Sequence, residues 1–111
     1  MCTHATGTIA GDSAEINSFE KLTQSIGKKP LICSFKGYLG HSLSSSGLVE
    51  LMLMIKCLKE GKVPPICNLK NPISTNQNLA RSTMEAKMRV GLKACSGFGG
   101  VNYAVLSRIV V

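Results

Sequence analysis

Hydrophobic and polar positions divide the chain into a few short elements. Ile16, Phe19, Leu22 and Ile26 recur at helical spacing, leaving the opposite face polar. Asp12 is a candidate N-cap, Glu15 completes a capping box, and Gly27 supplies the stop. The run Pro30 to Phe35 is apolar and bounded by Pro and Gly, which predicts a strand, with KGYLGH (36–41) as a turn. From Ser42 to Glu60 the pattern predicts a second helix, closed by Gly61. Val63 stands before two prolines and must be extended. Residues 1–11 and 68–83 read as loops. Lys87 to Cys95 and Val101 to Val110 alternate or run apolar around SGFGG, which predicts a hairpin. The expected fold class is α/β, a mixed sheet of about three strands with one buried and one amphipathic helix.

The second helix is unusual. Between Leu43 and Leu58 it is apolar on almost every side, and such a helix is normally buried all round. One sheet covers one side, so a further layer is expected to cover the other, from a partner or from the rest of a larger structure. The alternative is that the first helix and the 62–83 loop fold over it. Glu50 lies in the middle of this helix, where an ionised carboxylate is costly unless paired. Lys56, six residues on, points elsewhere, so Lys36 is the expected partner.

The length of 111 residues suits one small domain. The Leu43–Leu58 run carries two charges and is shorter than the roughly 20 residues of a spanning helix. The N-terminal segment lacks the pattern of a signal peptide, so a cytoplasmic location is expected. Five scattered cysteines without a CxxC pair argue for reduced thiols rather than a disulfide framework or a metal site. A net charge of +7 favours acidic partners, whereas three Phe and two Tyr make a poor stacking platform for nucleic acid. His4, Lys36 and His41 all sit in Gly- or Thr-punctuated turns at element ends. A lone histidine is usually an ordinary residue, and here it is the ensemble that points to chemistry.

With these residues assembled, the chain resembles the 3-oxoacyl-[acyl-carrier-protein] synthases. THATGT followed by GD resembles their HGTGT-x-x-GD signature, and KGYLGHSLSSSGLVE their K-x-x-x-GH-x-x-x-x-x-G-x-x-E block. VPPICNLKNP is similar to I-P-P-T-x-N-L-E-x-P, and CSGFGGVNYAVL to S-F-G-F-G-G-x-N. The four blocks fall in family order across nearly the whole chain.

The resemblance implies a thiolase-like fold, with this chain as its C-terminal half over 1–111. The nucleophilic cysteine belongs to the N-terminal half, and none of the five cysteines here has a matching context, so the isolated chain is expected to be inactive. By position, His4 and His41 match the histidine pair that assists decarboxylation of the malonyl thioester, and Lys36, tethered by Glu50, matches the organising lysine. Thr6 and Thr8 match threonines that hold the pantetheine arm, and Phe98 matches a gating residue. The implied reaction is decarboxylative Claisen condensation of malonyl-carrier with an acyl thioester. No cofactor or metal is implied beyond the carrier's phosphopantetheine. The implied partners are acyl carrier protein and an N-terminal half or dimer partner, with no nucleic acid and no membrane span. The alternative function is a non-catalytic ketosynthase-like partner or remnant. Ala5 stands where the family has Gly, which implies strain if that position needs a positive φ, and Ser96 replaces the first Phe of the Gly-rich block.

Overall fold

The computed structural model describes residues 1–110. Helix α1 covers Ile9–Ile26, a single turn α2 covers Lys36–Leu39, and α3 covers Ser46–Glu60 after a 3₁₀ turn at Leu43–Ser45. Four strands follow: β1 (Lys62–Val63), β2 (Met84–Glu85), β3 (Val90–Ser96) and β4 (Asn102–Arg108). β1 pairs antiparallel with β2, and β3 with β4.

The predicted hairpin is present, with SGFGG as its turn. The arrangement of the remaining strands differs from the expectation. Residues 30–35 form no regular strand; Ile32 and Cys33 instead make isolated parallel bridges to Leu79 and Cys2. Cys2 in turn bridges Lys93 of β3, donating its N–H to Leu92 and accepting from Ala94 N–H. Three extended segments, around Leu79, Ile32 and Cys2, therefore continue the β3–β4 hairpin as one layer. Each contributes only a residue or two of pairing, too little for periodicity to reveal. Residues 1–3 are thus not a surface loop. Cys2 and Thr3 are buried in the middle of that layer, and the chain becomes irregular only from His4 onward.

The cap of α1 also differs. Thr8, not Asp12, is the N-cap, its hydroxyl accepting from Gly11 N–H at 3.3 Å. Asp12 lies in the first turn and accepts from Gly7 N–H. A charge there suits the partial positive end of the helix, so the acidic signal is real but one turn displaced. Gly27 and Gly61 close α1 and α3 in the left-handed region, as their positions predict.

α3 packs on β3 through Met54 and Leu58, while Cys2, Cys33, Phe35, Val63 and Ala80 complete the core beside it. Its other side is not covered: Leu48 and Met52 are more than 60% exposed, at 64% and 62%. Neither α1 nor the 62–83 segment folds over that flank. No helix among the described residues is long and apolar enough to cross a membrane.

Candidate active site

Four of the residues singled out by sequence converge where the His4 loop, the α2 turn and α3 meet. Glu50 is 2% exposed on the buried face of α3. Lys36, at the start of α2, donates to its Oε1 at 2.6 Å, as expected from the sequence. The same ammonium reaches His4 Nδ1 at 3.3 Å. The rings of His4 and His41 meet edge to face, with centroids 5.4 Å apart.

The partners of each ring assign its proton. An ammonium has no acceptor to offer, so His4 Nδ1 must accept from Lys36 and the neutral ring carries its hydrogen on Nε2. At His41, Leu43 N–H donates to Nδ1 at 3.2 Å, and Ser46 Oγ lies 2.9 Å from the same atom. Ser46 Oγ already accepts from Ser42 N–H, which leaves its own hydrogen for the imidazole. His41 is therefore also an Nε2–H tautomer when neutral. Burial, followed by the charges of Lys36, Lys93 and His41, holds His4 below the usual histidine range, against a smaller opposing effect of Glu50. A neutral His4 is the consequence.

Two residues that the sequence does not assign to the site hold this arrangement. The Glu15 carboxylate accepts from His4 N–H at 2.6 Å and Ala5 N–H at 2.9 Å, pinning the loop that carries the first histidine. Its position three residues after Asp12 suggested a capping box, and that local role hid the longer reach. Lys93, on β3, places Nζ 2.6 Å from Glu50 Oε2, a close charge contact rather than an aligned hydrogen bond, and donates to Thr3 O at 2.8 Å. The legible signal was a lysine sharing one face of an alternating strand with Gly91 and Cys95. Ala5 has a φ of 39°, so the position does need the left-handed region, and its methyl carries strain that Gly would not.

Lys36, His41, Thr3, Ala5 and Thr6 border a cavity of about 670 Å³ whose far wall is the 66–74 segment. That wall lies close to the α2 turn. A Cβ on Gly37 would stand 2.8 Å from Cys67 Cβ and 3.1 Å from its carbonyl oxygen, so only glycine fits. Tyr38 Oη donates to Pro65 O at 2.5 Å and fastens the same seam. Of the remaining expected site residues, Thr8 is engaged at the α1 cap, with its hydroxyl 3.3 Å from that of Thr6. Phe98 is 97% exposed in the hairpin turn, away from the cavity lining.

Residues 1–70 match the family model described as "Beta-ketoacyl synthase, C-terminal domain". The chain belongs to the beta-ketoacyl synthase family. It is 31% identical over 105 residues to the 3-oxoacyl-[acyl-carrier-protein] synthase 1 of Buchnera aphidicola from Acyrthosiphon pisum, covering 93% of this chain and 26% of that relative. Among solved structures, a beta-ketoacyl synthase from Burkholderia phymatum superposes with a TM-score of 0.85 at 26% identity, over 99% of this chain and 27% of that one. A PfaC keto synthase–chain length factor gives a TM-score of 0.86 at 34% identity, over 97% and 13% respectively. The ketosynthase architecture is thus shared by nearly all of the chain, which spans about a quarter of the length of the curated relatives it matches.

Proposed function

We propose that this chain supplies the His4/Lys36/His41 part of a site for decarboxylative condensation of a malonyl thioester with an acyl thioester. The observation that carries the reading is the meeting of two imidazoles, each with Nδ1 engaged by a donor and Nε2 left to donate, beside a lysine tethered to buried Glu50. In the reaction, the bond between the malonyl α-carbon and its carboxylate breaks and carbon dioxide leaves. The electron pair passes to the thioester oxygen as an enolate, and two preorganised N–H donors stabilise that charge where it develops. The enolate carbon then attacks the acyl thioester carbonyl, a carbon–carbon bond forms, and the thiolate departs.

The acyl group would ride on a cysteine supplied by a further polypeptide segment, in keeping with the C-terminal domain that the family model describes. The malonyl group would arrive on acyl carrier protein. An acyl-carrier protein in complex with a ketosynthase is among the similar structures, and the +7 charge here suits an acidic carrier. Thr6 and Thr8 would contact the pantetheine arm, and Phe98 would gate access from the hairpin. A cytoplasmic site of action fits such substrates.

The test is reconstitution. The chain, combined with a ketosynthase segment bearing the nucleophilic cysteine, should convert malonyl-carrier and an acyl primer into 3-oxoacyl product. The chain alone should give none, and His4→Ala or His41→Ala should abolish decarboxylation in the complex. A stable complex that binds the carrier without releasing carbon dioxide would replace this reading with the non-catalytic partner.

A further inference from the structure

We propose that Lys93 is a positioning residue of this site, a built-in cation that joins Glu50 to the backbone of Thr3 and thereby sets the geometry of Lys36 and His4. The chemistry it would serve rests on the condensation reading above; the geometry does not. Lys93 is 1% exposed, the largest fully buried side chain among the described residues. Its ammonium spans two elements, with Glu50 Oε2 on α3 at 2.6 Å and Thr3 O at 2.8 Å. Thr3 immediately precedes His4, and its own N–H and hydroxyl are fixed on Cys33 O.

The division of the carboxylate is informative. Lys36 holds Oε1 and Lys93 holds Oε2, so neither ammonium captures both oxygens. Lys36 therefore keeps a hydrogen available for His4 Nδ1, which assigns that ring its tautomer. Without Lys93, Glu50 is free to rotate and take Lys36 with both oxygens, withdrawing it from the imidazole. The stoichiometry matters as well. Two ammoniums face one carboxylate, so the buried cluster carries an excess positive charge. Lys36, Lys93 and His41 act against protonation of His4, Glu50 favours it more weakly, and from α1 the Glu15 carboxylate faces the His4 backbone N–H. The same excess favours an anionic intermediate close by. Stability alone does not call for the arrangement, because a well-packed apolar residue on this inner strand position serves a fold equally well or better than a buried ion pair.

The chain has only two histidines, so imidazole NMR of the whole 111-residue chain resolves both. Lys93→Met removes the ammonium and keeps an unbranched side chain of similar bulk. The His4 titration midpoint should move up and its Nδ1 signal should lose the hydrogen-bonded shift, while His41, held by Ser46 and Leu43, stays in place. Lys93→Ala leaves a space lined by Glu50 Oε2 and Thr3 O, a ligand set for a small cation with N–H donors. Ammonium or methylammonium chloride should restore the wild-type His4 signals there, and tetramethylammonium at equal ionic strength should not. An unmoved His4 titration in Lys93→Met, or equal shifts at both histidines, overturns the proposal.

If neither variant folds, the wild-type chain provides the measurement. Two slowly exchanging lysine ammonium signals, from Lys36 and Lys93, are expected in a ¹⁵N-detected spectrum, and finding only one overturns the assignment. Loss of condensation in the reconstituted enzyme with these signals intact would count against the condensation reading alone.

Discussion

At the scale of single residues, the His4 loop combines strain and charge within a few atoms. Ala5 holds a φ of 39° while its N–H is gripped by Glu15. Replacing it with Gly removes a Cβ from the left-handed region and should raise stability by about 1 kcal/mol, read as a higher urea midpoint with an unchanged slope. The family resemblance made this strain legible, since it marked position 5 as a glycine site. His4 gives a pH dependence with a definite sign. Burial and the neighbouring cations depress its proton affinity in the folded state, so below about pH 6.5 the unfolded chain binds the proton more readily. Stability should therefore fall as pH drops through that value, and level off below the folded pKa. Urea titrations from pH 7.5 down to 5 should show a shallower decline in His4→Gln than in the parent chain.

At the scale of elements, the site works as a junction. Glu50 ties α3 to the α2 turn through Lys36 and to β3 through Lys93, so three pieces of chain depend on one carboxylate. Glu50→Gln leaves two buried ammoniums without a counter-charge, and should cost on the order of 3 kcal/mol in equilibrium unfolding. A loss below about 0.5 kcal/mol, the range of ordinary surface substitutions, would contradict the paired geometry. Sequence patterning reached the helices, the hairpin and the Lys36–Glu50 pair, because each rests on local periodicity or on one isolated polar residue in an apolar run. It missed the sheet positions of Cys2 and Ile32, whose pairing is made by a residue or two from distant parts of the chain. It also missed the partners of Glu15 and Lys93, whose reach depends on tertiary approach. Thr8 displaced Asp12 as the cap because α1 begins at Ile9, one turn ahead of the Asp12–Glu15 capping-box pattern that predicts its start.

For the molecule as a whole, the asymmetry of α3 dominates. Met54 and Leu58 are buried against β3, whereas Leu48 and Met52 remain open to solvent, as does Leu43 just ahead of the helix at 69% exposure. Apolar exposure along α3 fits the contact with a further segment that the proposed function calls for. Leu48→Glu with Met52→Lys should change the thermal midpoint of the chain little, since both side chains are already wet. The same pair should abolish co-purification with a cysteine-bearing ketosynthase segment, measured by size-exclusion chromatography. Retained assembly would show that the complement docks elsewhere.

The seam at Gly37 sets the tolerance of the cavity. With the 66–74 wall lying against a position that has no side chain, the width of the chamber is fixed by a missing methyl group. Even alanine there would act as a wedge, prying the wall from the turn that carries Lys36, so that the fit of any guest and the aim of the lysine would slip together.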